Sequence, residues 1–204
     1  GSFGPFLLAI SGETDEKSEP RKSQVSETLE GLSYVRKHPI LPGLFLLDAA
    51  ITTSSFYREI LPVIALGLFA AGASGTGLLG SANSAGAIIG GIAVLALTRV
   101  QAKGLIVLWA SLAYGLFLLA FGLTSSLITG MILIALLGAA DSVTVAVRVT
   151  TVMLTTPDKM RGRAFSLMYV AAQTSNNIGT IWVGFWAGVI GASSTMVMGG
   201  VISI

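Results

Sequence analysis

The sequence predicts an all-α membrane protein, and three observations carry that prediction. Hydrophobic residues make up 53% of the 204 residues and charged residues only 11%, against roughly 25% charged in an ordinary soluble domain. Mean hydropathy is +0.82. Half of the charged residues fall between Glu13 and Lys37, so the stretch from His38 to Ile204 holds too few to solvate the surface of a water-soluble fold. A soluble enzyme, a nucleic-acid binder and a disordered chain are excluded on these grounds, and the expected surrounding is a lipid bilayer. Despite a pI near 9.1, a net charge of +2 is too small for a phosphate-binding surface. With no cysteine, neither a disulfide framework nor a thiolate metal site is available.

Taken in order, Gly1–Ile10 is apolar but too short to span, and it lacks the positive region of a secretory signal. Both ends of the chain read as cut, since it opens without methionine and stops inside an apolar run. Residues 11–38 form a charged, Ser- and Glu-rich linker. Its second half, from Ser26 to His38, reads as a short amphipathic helix with Leu29, Leu32 and Val35/Arg36 at helical spacing and Pro39 as its stop. That helix is expected either to lie on the inner leaflet or to serve as a solvated connector.

Residues 39–204 form the transmembrane unit. Ile60–Thr98, Gly104–Ala140 and Ala164–Ile204 carry no charge, and each is long enough for about two crossings at about 20 residues per crossing. Small and polar clusters at Gly72–Gly77, Gly122–Ser126 and Gly191–Thr195 divide them. With the apolar run after Pro39, six spans are predicted, at 40–69, 75–98, 104–123, 126–154, 164–190 and 194 onward. The first is too long for one straight crossing, and Pro62 is its expected break. The last is incomplete. Lys and Arg alternate along the six connections: they occur in the N-terminal linker, at Arg99/Lys103 and at Lys159/Arg161/Arg163, and are absent from the connections between. The positive-inside rule therefore puts those three segments in the cytoplasm, as for a multi-pass plasma-membrane protein.

Several motifs carry no chemistry. Gly75-Thr-Gly-Leu-Leu-Gly80 matches a dinucleotide fingerprint, but it follows an apolar helix and no acid lies at the required distance. It continues into Ala82, Gly86 and Gly90, a small-residue stripe that lets helices approach closely in lipid. His38 has no ligand-spaced partner and reads as an interface residue. There is no hydrolase, zincin or P-loop motif, so no enzyme, cofactor or metal site is predicted.

Charges inside spans cost about 2.5–3.5 kcal/mol each on insertion scales, so each needs a partner, a wet cavity or a task. Asp48 lies about 13 Å into the first span at ~1.5 Å per residue. Eleven residues at about 100° each return Glu59 to within roughly 20° of it, so the two acids are expected on one face. Arg58 and Glu59 read either as functional charges or as an outer-interface pair. Asp141 and Arg148 are seven residues apart on one face of the fourth span, about 10 Å apart in rise, and are expected to act as a unit. The alternative is an inter-helix ion pair at Asp141 and an Arg148 that snorkels to headgroups. Asn83, Gln173, Asn176 and Asn177 add polar edges to the second and fifth spans, as cavity lining or as inter-helix hydrogen bonds. The third span has only Ser111 and Tyr114 near its middle and is expected at the periphery.

Glu30-Gly-Leu-Ser-Tyr-Val-Arg-Lys-His-Pro39, Gly43-Leu-Phe-Leu-Leu-Asp48, Gly138-Ala-Ala-Asp-Ser-Val-Thr-Val-Ala-Val-Arg148 and Thr156-Pro-Asp-Lys-Met-Arg-Gly-Arg163 together resemble the C-terminal half of major facilitator superfamily transporters. The nearest branch is the one that holds the bacterial enterobactin exporter and related efflux proteins. The resemblance covers residues 25–204. It implies two six-helix halves around a central cavity that work by alternating access, with residues 1–10 as the end of a preceding helix, 11–38 as the central loop and a missing N-terminal half as partner. It also implies that Arg99, Lys103, Asp158, Arg161 and Arg163 form cytoplasmic gate loops in a bacterial inner membrane. The family's acidic loop between its eighth and ninth helices survives only as Thr98-Arg-Val-Gln-Ala-Lys-Gly104, without its Asp, so the usual charge-relay gate is not carried over.

The function this supports is secondary active export of a small organic molecule, such as a siderophore, drug or metabolite, driven by protons. The alternatives are an importer of a sugar, peptide or organic anion on the same fold, and a membrane-embedded lipid-handling accessory of an enzyme. The predicted orientation has a direct check, because the chain has no native cysteine. In intact cells an impermeant thiol reagent is expected to leave Ser18→Cys and Lys159→Cys unlabelled until the membrane is opened, and labelling from outside would reverse the orientation.

Overall fold

The structure, a computed structural model, describes residues 32–55, 57–67, 69–97 and 103–204. Its regular elements there are all helical. Helix α1 spans Leu41–Ser55, a 3-10 turn at Arg58–Ile60 leads into α2 (Leu61–Gly67), and α3 (Gly72–Leu97), α4 (Lys103–Leu123), α5 (Leu127–Thr155), α6 (Asp158–Ile190) and α7 (Ala192–Ser203) follow. Among the described residues three stretches are long and apolar enough to cross a bilayer: Gly72–Ala96, Gly104–Leu123 and Leu127–Thr155.

The first predicted span is broken after Ser55, with a 3-10 turn at Arg58–Ile60, and so before Pro62 rather than at it. Pro62 lies in the first turn of α2, where its missing N–H costs nothing. The fifth differs from expectation. The segment Asp158–Arg163, read as a loop, is the opening of α6, a helix of 33 residues. Pro157 precedes it with φ −56°, Asp158 places negative charge in the first turn, and Arg161 pairs with Asp158 at 2.6 Å across i,i+3. The connection is thereby reduced to Thr156-Pro157. At the other end Gly191, at φ +85°, takes the left-handed turn that separates α6 from α7.

Residues 32–37 are helical, whereas the earlier part of the predicted amphipathic helix, including Leu29, lies outside the described residues. The described part is tied to the bundle on one side, while Leu32, Ser33, Arg36 and Lys37 are exposed. The Tyr34 hydroxyl donates to the Thr155 carbonyl at 3.0 Å, and Val35 is buried with Leu41, Val152 and Ala164. His38 has a structural task that its sequence context did not disclose. Its Nδ1 accepts from the backbone N–H groups of Ile40 and Leu41 at 3.2 and 3.4 Å, which satisfies donors at the start of α1.

Lateral packing follows the small residues. A Cβ at Gly86 or Gly90 would run into the backbone of Ala135 or Ala139, so α3 lies directly against α5 on its glycine face. The opposite face of α3 presents Ile88, Ile89, Ile92 and Leu95 outward, as a lipid-facing surface does. α4 packs against α5 and α7, and α1 against α6. Two apolar clusters result. The smaller, around Leu41, Val152 and Ala164, closes the Thr156 end. The larger, including Ile60, Ile64, Leu118, Phe121, Ile134 and Leu137, fills the other end.

Gly86→Ala is expected to destabilise the bundle by about 1–3 kcal/mol through overpacking against a backbone carbonyl. At Gly80 an added methyl group would meet nothing within 4 Å, and Gly80→Ala is expected to stabilise by about 0.5–1 kcal/mol through helix propensity. Denaturant titration of both variants in one micelle system reads the opposite signs.

Candidate functional site

Along α5 the order from its C-terminal end is Val152, Arg148, Asp141, then Leu137 and Ile134. The first belongs to the small apolar cluster and the last two to the large one. The charged residues therefore fall between two dry layers. A cavity of about 240 Å³ opens there, somewhat below the ~300–1,000 Å³ of sites that enclose a whole drug-sized ligand. α1 contributes Asp48 and Thr52, the turn after it Tyr57 and Arg58, and α5 Asp141, Thr144 and Arg148. α4 adds Ser111 and Tyr114, and α6 adds Asn176.

Two ion pairs cross the cavity. Arg148 pairs with Asp48, and Arg58 Nη2 meets Asp141 Oδ2 at 3.2 Å. Rising residue number on the first helix meets falling number on α5, so the two run antiparallel. The pairs differ in environment. Side chains of Arg148 and Asp48 are 9% and 19% exposed, those of Arg58 and Asp141 52% and 44%. The first pair is a clamp inside the protein, and the second opens into the cavity. Neighbouring polar groups complete the wall. Tyr57, almost fully buried, has its hydroxyl bonded by Asn83 Nδ2 and its ring 6.4 Å from that of Tyr114.

Several sequence expectations change here. Asp141 and Arg148 line one cavity, but they are not each other's partners: each reaches across to the first helix or the turn that follows it. Glu59 does not share a face with Asp48. It is exposed and outside the cavity wall, because the 3-10 turn shifts the helical phase and brings Arg58 inward instead. Arg58 consequently pairs with Asp141 rather than with Glu59. Arg148 is ion-paired, so it does not snorkel. Of the fifth-span polar residues, Asn176 lines the cavity, and its Nδ2 donates to Gln173 Oε1 at 3.2 Å; Gln173 and Asn177 do not border the cavity. Asn83 acts one step back, by holding Tyr57.

The third span, expected at the periphery, supplies a wall. Val107, Ser111 and Tyr114 fall at i, i+4 and i+7, a single face, and all three border the cavity. That spacing was the available signal, diluted by the strongly apolar helix around it. Among the expected gate residues, Arg161 Nε donates to the carbonyls of Met153 and Thr156 at 3.0 and 3.2 Å, so it caps the end of α5. Arg163 reaches Met160 Sδ at 3.6 Å, Lys103 opens α4, and Arg99 lies outside the described residues. Among the described residues no cluster of three His, Cys, Asp or Glu residues could hold a metal ion.

Comparison with known proteins bears on this arrangement. The family described as transmembrane secretion effector matches residues 7–203. The enterobactin exporter EntS of Escherichia coli O1:K1 is 28% identical over 166 residues, which cover 81% of this chain and 40% of that protein. EntS of Escherichia coli O81 is 29% identical over the same shares, and that of Shigella boydii serotype 18 is 28% identical. The chain spans about 40% of the length of these curated relatives. No solved structure matches.

The two ion pairs should respond differently to being broken. Asp48→Asn leaves a buried guanidinium uncompensated and is expected to cost about 3–5 kcal/mol. Asp141→Asn acts on a half-exposed pair and is expected to cost about 1 kcal/mol or less. Unfolding free energies in one detergent, with the double mutants of each pair, measure the difference. Equal costs would mean that the pairs share one environment.

Proposed function

Because the chain belongs to the transmembrane secretion effector family of the major facilitator superfamily, we propose that it forms part of a proton-coupled exporter of a small organic molecule in the bacterial plasma membrane. The observation that carries this reading is the pair of crossed ion pairs lining a single cavity. Charges in the middle of spans are expensive, and a purely structural pair has no need to face a cavity. Arg58–Asp141 does face it. A proton on Asp141 removes the attraction that holds the Arg58 turn against α5. The turn and α2 can then move relative to α5, while the buried Asp48–Arg148 pair keeps α1 attached. Proton uptake on one side and release on the other would couple a gradient to rocking of helices about the cavity.

The rest of the machine is part of the proposal. A second six-helix half, in the same polypeptide or apart, would supply the opposite wall and the second gate of an alternating-access cycle. The linker and the Thr156 end would face the cytoplasm, as the distribution of Lys and Arg favours. The relatives named as exporters support the outward direction of transport.

Asp141→Asn tests the coupling role. In proteoliposomes of the complete transporter, it is expected to retain exchange of labelled substrate but to lose accumulation driven by an imposed pH gradient. Gradient-driven accumulation at the wild-type level would remove Asp141 from the mechanism.

A further inference from the structure

The charges that line the cavity cancel. Asp48 and Asp141 are matched by Arg148 and Arg58, and no other Asp, Glu, Lys or Arg among the described residues borders it. A ligand carrying a full charge would enter as an unbalanced charge in a space whose remaining wall includes Leu44, Leu47, Ile51, Val107 and Val145. Its lost hydration would find no matching counter-charge.

Two donors nevertheless stay unmatched. Arg148 Nε and Nη1 and Ser111 Oγ are buried without a hydrogen-bond partner among the described residues, and of these Nη1 is the atom ion-paired to Asp48. Both residues are more than nine-tenths buried, at 7% and 5% exposure, and both border the cavity. They sit at matching depth. Arg148 is seven residues from the end of α5 at Thr155, and Ser111 is eight from the start of α4 at Lys103, so each lies about 10–12 Å from the same end of the bundle. Asp48 takes Nη1 of the guanidinium, which leaves the Nε edge as a separate donor. A buried donor without an acceptor is penalised, and an acceptor atom brought by a ligand removes that penalty twice.

We infer that this cavity recognises an uncharged, oxygen-bearing part of the transported molecule, with Arg148 Nε and Ser111 Oγ donating to its carbonyl, ester or ether oxygen. Asp48 provides the counter-charge that turns away anions. A cavity of about 240 Å³ is smaller than the ~300–1,000 Å³ that encloses a drug-sized ligand, and suits one ring-sized group and its polar substituent. The site therefore reads a segment of a larger molecule. The inference rests on the transport reading in one respect, that the ligand is cargo.

Three one-ring probes of nearly equal size separate the possibilities: benzamide, benzoate and benzylammonium. Each is titrated against the purified chain in nanodiscs by saturation-transfer NMR. Benzamide is expected to bind in the millimolar range, with both ions at least about tenfold weaker. Ser111→Ala is expected to weaken benzamide roughly threefold to tenfold, the size of one hydrogen bond. Asp48→Asn leaves Arg148 without its counter-charge and is expected to invert the order, with benzoate ahead of benzamide. Either ion binding wild type as well as benzamide, or none of the three binding, overturns the assignment. An unchanged order in folded Asp48→Asn does the same, and if that variant does not fold, the wild-type ranking and Ser111→Ala decide alone. Flux is read separately. Loss of gradient-driven transport with the benzamide preference intact would sink the exporter reading and keep the site, whereas transport without that preference would sink the site alone.

Discussion

A guanidinium or a carboxylate placed among hydrocarbon side chains has to find its opposite, and in the cavity of this chain the opposite always comes from another element. Asp48 and Arg148 satisfy that requirement where the surroundings are driest, with side chains 19% and 9% exposed. Moving either charge would leave the other unmatched in a low-dielectric layer, at a cost of about 3–5 kcal/mol. The clamp therefore ties α1, which packs mainly on α6, to α5 as well. The turn that follows α1, the entry into α2 and the position of Arg58 all inherit that placement.

The layers on either side give the clamp its meaning. Leu41, Val152 and Ala164 close one end with Val35 from the preceding segment, and Ile60, Ile134 and Leu137 fill the other. Between them polar side chains meet, and a cavity opens among them. The cavity thus lies where the two ion pairs meet the polar side chains of Thr52, Tyr57, Ser111, Tyr114, Thr144 and Asn176. The close approach of α3 to α5 at Gly86 and Gly90 supports α5 from behind, so the residues facing the cavity have a fixed backing. Tyr57, held by Asn83 of α3, links that backing to the cavity wall.

The difference in exposure between the two ion pairs separates two kinds of task. A pair sealed from solvent is suited to keeping geometry and to presenting its spare donors in a fixed direction. A pair about half open is suited to exchange with protons or ligand, because its components can be solvated singly when they part. Both pairs draw one partner from α5. Here they lie seven residues apart on α5, about two turns, near enough to share the cavity and far enough for separate partners.

Much of this was legible in the residues alone. Composition placed the chain in a bilayer, uncharged stretches and polar breaks located α3, α4 and α5 to within three residues but missed the start of α6 and the site of the break in the first span, and the spacing of Ala82, Gly86 and Gly90 disclosed a contact face. These features are local: they depend on transfer free energy and on the period of the helix. The partner of each charge was not local. Asp141 and Arg148 share a face, which periodicity reveals, but the side chains opposite them depend on how two helices are rotated and shifted, which no single-helix period contains. The 3-10 turn at Arg58–Ile60 made the same point within one span, since a few residues outside α-geometry reset the phase and exchanged Glu59 for Arg58 at the cavity. Ser111 and Tyr114 were visible as a polar face on an apolar helix, yet whether that face met lipid or a cavity was decided by the neighbours of α4. Sequence determined the solvent and the segments; tertiary structure chose the pairs, because an ion pair's energy depends on a distance between helices that only their packing sets.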